Sequence, residues 1–125
     1  MRSMLRVHLK HKNPKLTPRD DYSFDILVDE DQKPVNTHKI PFTGLWGEWD
    51  NLGNRYPIIL EADGQIDLGV LCESGPHRFQ RTNIREKQMR VGELITVWEP
   101  DANTDTGKEI EYTLVISFVK PIVDL

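Results

Sequence analysis

Apolar and polar residues alternate with a period of two along most of this chain, the pattern of strands that bury one face and wet the other. In Leu5-Arg6-Val7-His8-Leu9-Lys10 the aliphatic residues are interleaved with basic ones. Asn13-Pro14 and Thr17-Pro18 interrupt the ladder, because proline has no N–H to donate. Tyr22, Phe24, Ile26 and Val28 resume it, and the polar run Asp29 to Pro34 ends that strand in a loop. Val35 to Phe42 reads as a weaker strand, with Pro41 marking an edge or a bend.

Asp63-Gly64 is the clearest hairpin signal: Tyr56, Ile58 and Leu60 lead into it, and Ile66, Leu68 and Val70 lead out. Gly64 supplies the positive φ that a tight hairpin turn demands. Glu93 to Trp98 and Ile110 to Val119 form a second expected pair, joined by a longer polar loop. In the last strand Ile110, Tyr112, Leu114, Ile116 and Phe118 fall on one face, and Trp98 is assigned to the core. Only Asn83 to Met89 reads as helical, with Asn83 as cap and Glu86 reaching back to it. The pattern predicts a single β-rich domain over residues 1–125. It is an all-β fold, a small antiparallel β-barrel or β-sandwich of about seven strands, with at most one short helix.

Composition narrows the class without naming a function. In 125 residues, 38% are hydrophobic and 29% charged, which is globular. No apolar run reaches the roughly 20 residues of a membrane helix, and Met1 to Lys12 has no apolar core of a signal peptide. The one cysteine, Cys72, allows no intrachain disulfide. These features point to a cytoplasmic protein with no membrane role. The net charge of −4 is unevenly spread: residues 1–19 hold six Lys or Arg and no acid. A second basic stretch runs Arg78, Arg81, Arg85, Lys87, Arg90, against Glu86 alone.

Several local patterns suggest chemistry. Asp101-Ala102-Asn103-Thr104-Asp105-Thr106-Gly107 alternates oxygen side chains ahead of a glycine, as a calcium loop does. Its glycine comes one position late and Tyr112 stands where a bidentate Glu is needed, so an ordinary polar turn is expected, with Asp101, Asn103 and Asp105 as a weak cation candidate. Gly44-Leu45-Trp46-Gly47-Glu48-Trp49 sets two tryptophans among glycines; they either plug a barrel end or offer faces to a ligand. His8, His11, His38 and His77 do not have metal-site spacing. No phosphate loop, GxSxG or HExxH is present, and no cofactor, metal or catalytic residue is assigned.

Arg81-Thr82-Asn83-Ile84-Arg85 has the Arg-x-x-x-Arg spacing seen at the start of cyclic-dinucleotide-binding PilZ barrels, but the Asp-x-Ser-x-x-Gly that completes that pattern is absent. Phe79-Gln80-Arg81-Thr82-Asn83 followed by Met89-Arg90-Val91-Gly92-Glu93 resembles a stretch of the C-terminal barrel of translation elongation factors. That resemblance implies a small barrel and carries no active-site residue. The expectation is a non-catalytic interaction module that meets a protein partner or a second copy of itself. Trp46, Trp49, Arg78, Arg81 and Arg85 are its contact candidates. A small-ligand-binding barrel using Trp46 and Trp49 is the alternative, and a hydrolytic enzyme comes third. Nucleic acid is disfavoured by the acidic balance.

Overall fold

A computed structural model of the chain describes residues 2–13, 21–47, 55–69, 78–100 and 107–124. Among these, eight antiparallel strands follow one another around a closed barrel: β1 (Ser3–His11), β2 (Asp21–Val28), β3 (Phe42–Gly47), β4 (Arg55–Leu60), β5 (Gln65–Asp67), β6 (Phe79–Thr82), β7 (Leu94–Pro100) and β8 (Glu109–Asp124). Closure comes from β1 pairing with β8 as well as with β2. The expected all-β class holds, as a barrel with one strand more than the pattern predicted. The addition is easily missed: β6 reads Phe79-Gln80-Arg81-Thr82, with little apolar alternation to mark it.

The alternation turns one set of side chains inward. Leu5, Val7, Leu9, Phe24, Ile26, Ile58, Leu60, Ile66, Ile95, Val97, Leu114 and Ile116 are buried in one cluster. An eight-stranded barrel is about wide enough for such side chains to fill it. Arg6, Asp25, Arg81, Glu111 and Lys120 stand outside, the inverse of a barrel whose outer wall meets lipid. No helix among the described residues is long and apolar enough to cross a membrane.

One end of the barrel is stitched together by its connections. Gly64 closes the β4–β5 turn at φ +91°, and its N–H donates to the Glu61 carbonyl. Met89 N–H donates to the Gln32 carbonyl, and the Gln88 side chain to the Asp31 carbonyl, joining the β6–β7 connection to the β2–β3 connection. Ile84 and Met89 are fully buried and cover the core there.

Four local expectations are corrected. Residues 35–41 are not a strand: Thr37–Lys39 form a 3-10 turn and β3 begins at Phe42, because the Ile40 carbonyl and the Asn36 side chain are engaged by Arg85. Asn83 caps no helix; its Oδ1 accepts from Thr96 N–H, and only a 3-10 turn, Ile84–Glu86, follows. Trp98 is not core: Ile95 and Val97 take the inward positions, so Trp98 points out. Phe118 leaves the face of Leu114 and Ile116, because the β1–β8 register slips between His8 and Leu9. Leu9 pairs with Ile116 while His8 pairs with Phe118, so a bulge at Ser117 reverses the parity and leaves Phe118 43% exposed.

Candidate functional site

The bulge at Ser117 prepares a surface feature. Outward residues of five adjacent strands line up in register: Phe118 with His8, His8 with Ser23, Ser23 with Leu45, and Leu45 with Pro57. This row crosses β8, β1, β2, β3 and β4. Its two ends are apolar: the Phe118 and His8 rings lie 4.9 Å apart at one, and Leu45, 40% exposed, lies beside Pro57 at the other. The middle is small. Ser23 has a short side chain, and Gly44 lets β3 lie close against β2, where a Cβ would collide with the Ser23 carbonyl oxygen and the Phe24 ring. Small residues between large ones leave a depression of about 540 Å³ in the wall.

Cations flank the row. On one side Lys120 and Arg6 are direct cross-strand partners, followed by Asp25. Arg6 holds Asp25 through two hydrogen bonds, Nε to Oδ1 at 2.9 Å and Nη2 to Oδ2 at 3.1 Å, which raises the arginine's already high pKa. Among the described residues, no acidic side chain lies within ion-pair distance of Lys120. On the other side Arg55 lines the depression. Arg6, Arg55, Lys120 and Asp25 are the fixed charges among the residues that line the depression. The His8 imidazole is held below its ordinary pKa of 6.5, first by burial and then by Arg6, Arg55 and Lys10, with Asp25 opposing. It is neutral at pH 7.

The barrel interior offers a different arrangement. At the end opposite the stitched one, Tyr22 Oη donates to Gln80 Oε1 (2.7 Å), Gln80 Nε2 donates to Glu99 Oε2 (3.1 Å), and Tyr112 Oη donates to Glu99 Oε1 (2.5 Å). The chain of bonds links β2, β6, β7 and β8 across the lumen and ends on one carboxylate. His11 is buried with its ring edge-on to Tyr112 at 5.6 Å. Trp46 packs partly against the core at this end, 6.0 Å from the Tyr56 ring. A buried polar group is tolerated when its bonds are made, and these are internal to the fold.

Among the described residues, the expected contact residues do not gather. Trp46 is at the polar end of the interior, while Trp49, Asp101, Asn103, Asp105, Cys72 and His77 lie outside the described residues. Arg78 binds both carboxylate oxygens of Asp67 on the outer wall. Arg81 stacks over Trp98, with its guanidinium carbon 4.1 Å from the ring centroid, and chelates Glu109; Trp98 Nε1 donates to Glu111. Arg85 is only 6% exposed; it donates to the carbonyls of Glu61, Ile40 and Leu60 and to Asn36 Oδ1, and lies over the Phe42 ring. Among the described residues, no three His, Cys, Asp or Glu side chains converge as metal ligands would.

Sequence reasoning missed the depression because its residues are scattered from position 6 to position 120. The one available signal was the basic alternation Arg6-His8-Lys10, which marks the wetted face of β1. No protein-family model matches this chain, and no curated protein or solved structure is significantly similar to it.

Proposed function

We propose that the barrel is a non-catalytic interaction module, and that the row from Phe118 to Pro57 is its contact face for a protein partner. One observation carries this reading: the wall holds an apolar, cation-flanked depression, whereas among the described residues the inward side chains pack in one buried cluster and an internal chain of hydrogen bonds. Binding surfaces combine apolar contacts with a polar rim, and this face sets two apolar ends between flanking charged side chains.

Site-specific photocrosslinking in the source cells tests the proposal. A benzophenone side chain at Leu45 should give a discrete protein adduct, and the same group at Thr113, exposed beside Thr96 of β7 and outside the row, should not. Adducts from both positions alike, or none from Leu45, would count against the contact face. A small-ligand barrel is the second reading, favoured by the half-buried Trp46 beside the Tyr22–Gln80–Glu99 chain. Native mass spectrometry showing a bound small molecule, lost in Trp46→Ala, would place it first.

A further inference from the structure

We infer that the stitched end of the barrel holds a second site, which takes a small molecule through an anionic oxygen group, carboxylate or phosphate. The site shares no residue with the row on the wall. Three local constraints assemble it. Ser3 pairs with Val28, which brings Arg2 to the end of β2. A bridge between Val28 and Pro34 folds the next connection back beside that point, and Lys33 comes with it. Asn36 and Arg85 then hold each other: Nη1 donates to Asn36 Oδ1 at 3.1 Å, and Asn36 Nδ2 donates to the Arg85 carbonyl at 3.4 Å. These residues line a depression of about 590 Å³, a volume suited to a small molecule.

Charge selects the occupant. Arg2, Lys33 and Arg85 line the depression, and among the described residues none of them has a carboxylate within ion-pair distance. Asp29 and Glu86 line it too. Asp29 Oδ1 already accepts from the backbone N–H groups of Asp31 and Lys33. Arg2, Lys33, Asp29 and Glu86 are all exposed, so these two cations and two acids offset one another in water. Arg85 is buried, and its charge is screened less. Glu61 and Asp63 act on it from the β4–β5 turn, outside the lining. A guanidinium has five N–H groups, and four are used: Nε on Glu61, Nη2 on Ile40 and Leu60, and one of Nη1 on Asn36. Of these acceptors Asn36 is the one that lines the depression, which puts the remaining Nη1 N–H on that side for a bound oxygen. Thr37 adds a hydroxyl at the rim. A nucleic-acid strand fits less well, because the whole chain carries −4.

Isothermal titration calorimetry of the full chain at fixed ionic strength tests the site, with citrate and inorganic phosphate as probes. We expect millimolar or tighter binding of at least one, weakening as salt is raised. The tighter of the two identifies the carboxylate or the phosphate as the group recognised. Lys33→Glu should weaken binding about tenfold or more, and Arg2→Glu likewise, because each puts an acid where a charge-assisted donor stood. Both positions are exposed, so either variant serves if the other melts early. Glu86→Gln should tighten binding, because it removes a repelling carboxylate. Lys120→Glu changes the net charge as much as Lys33→Glu does, but on the wall, and should leave affinity unchanged. No binding of either probe, equal affinity in Lys33→Glu and the parent chain, or weaker binding in Glu86→Gln would overturn the inference. So would equal losses in Lys120→Glu and Lys33→Glu, or tighter binding of a thymidine oligonucleotide than of both probes.

Discussion

Two of the regions where this barrel places an arginine near an aromatic ring use it in opposite ways. At the stitched end Arg85 is enclosed over Phe42, with carbonyl oxygens and Asn36 receiving its N–H groups. On the outer wall Arg6, Arg55 and Lys120 surround the His8–Phe118 pair, and Asp25 pairs with Arg6 in contact with water. The first arrangement uses the cation to join three connections; the second keeps its cations at the surface, Arg6 paired with Asp25 and exposed to water. Arginine and aromatic content alone therefore does not locate a contact face. What separates the two is whether the cation is enclosed by the fold or meets water.

The sharpest way to test that separation is to remove the cation from each region. Arg85→Met should orphan the Ile40, Leu60 and Glu61 carbonyls and cost roughly 3–5 kcal/mol, read from urea unfolding. Arg6→Met, which breaks an exposed pair, should cost less than about 1 kcal/mol. Comparable losses would erase the distinction. Gly64→Val tests the same end through the backbone. A β-branched residue resists φ +91°, and its Cβ would lie 2.8 Å from the Thr82 carbonyl oxygen. A loss of roughly 2–4 kcal/mol is expected, and an unchanged melting temperature would show that the turn tolerates a side chain.

Lys120→Glu should act the other way on the outer wall. It replaces a like-charge neighbour of Arg6 with an opposite one, so the fold should gain about 0.2–1 kcal/mol. If stability falls instead, Lys120 has a structural partner that the Arg6 pairing does not reveal.

Period-two alternation made the class of fold readable, because a closed single sheet has one apolar face throughout. Leu5-Val7-Leu9, Phe24-Ile26 and Ile58-Leu60 point inward as that rule requires. It failed where the register changes or the chain leaves the sheet. The Ser117 bulge turned Phe118 outward, and Arg85 drew residues 36–40 into a connection. Trp98 followed the parity of Thr96, not its own hydrophobicity. The contact face was beyond reach for a stronger reason: its row takes one residue from each of five strands, and only the register between them makes neighbours of Phe118, His8, Ser23, Leu45 and Pro57. Arg85, by contrast, stood out in sequence as a surface cation, and nothing local showed that four acceptors would enclose it.

The smallest expected effect is a pH dependence centred on His8. Its imidazole lies among Arg6 and Lys10 on its own strand, Asp25 on β2, Arg55 on β4 and Lys120 on β8, with Phe118 against its ring. Burial and the surrounding cations disfavour the imidazolium, so the folded-state pKa lies below the ordinary 6.5. The unfolded chain then binds the proton more readily than the folded one. Stability must fall as pH drops through about 6.5, and the loss levels off once the pH is below the folded-state value. Above neutrality both states are unprotonated and the contribution vanishes. Unfolding midpoints between pH 7.5 and 5 should therefore decline more for the parent chain than for His8→Asn, and the difference should shrink in high salt as the arginine and lysine repulsion is screened. Identical pH profiles for the two chains would mean that His8 senses neither its burial nor the charges around it.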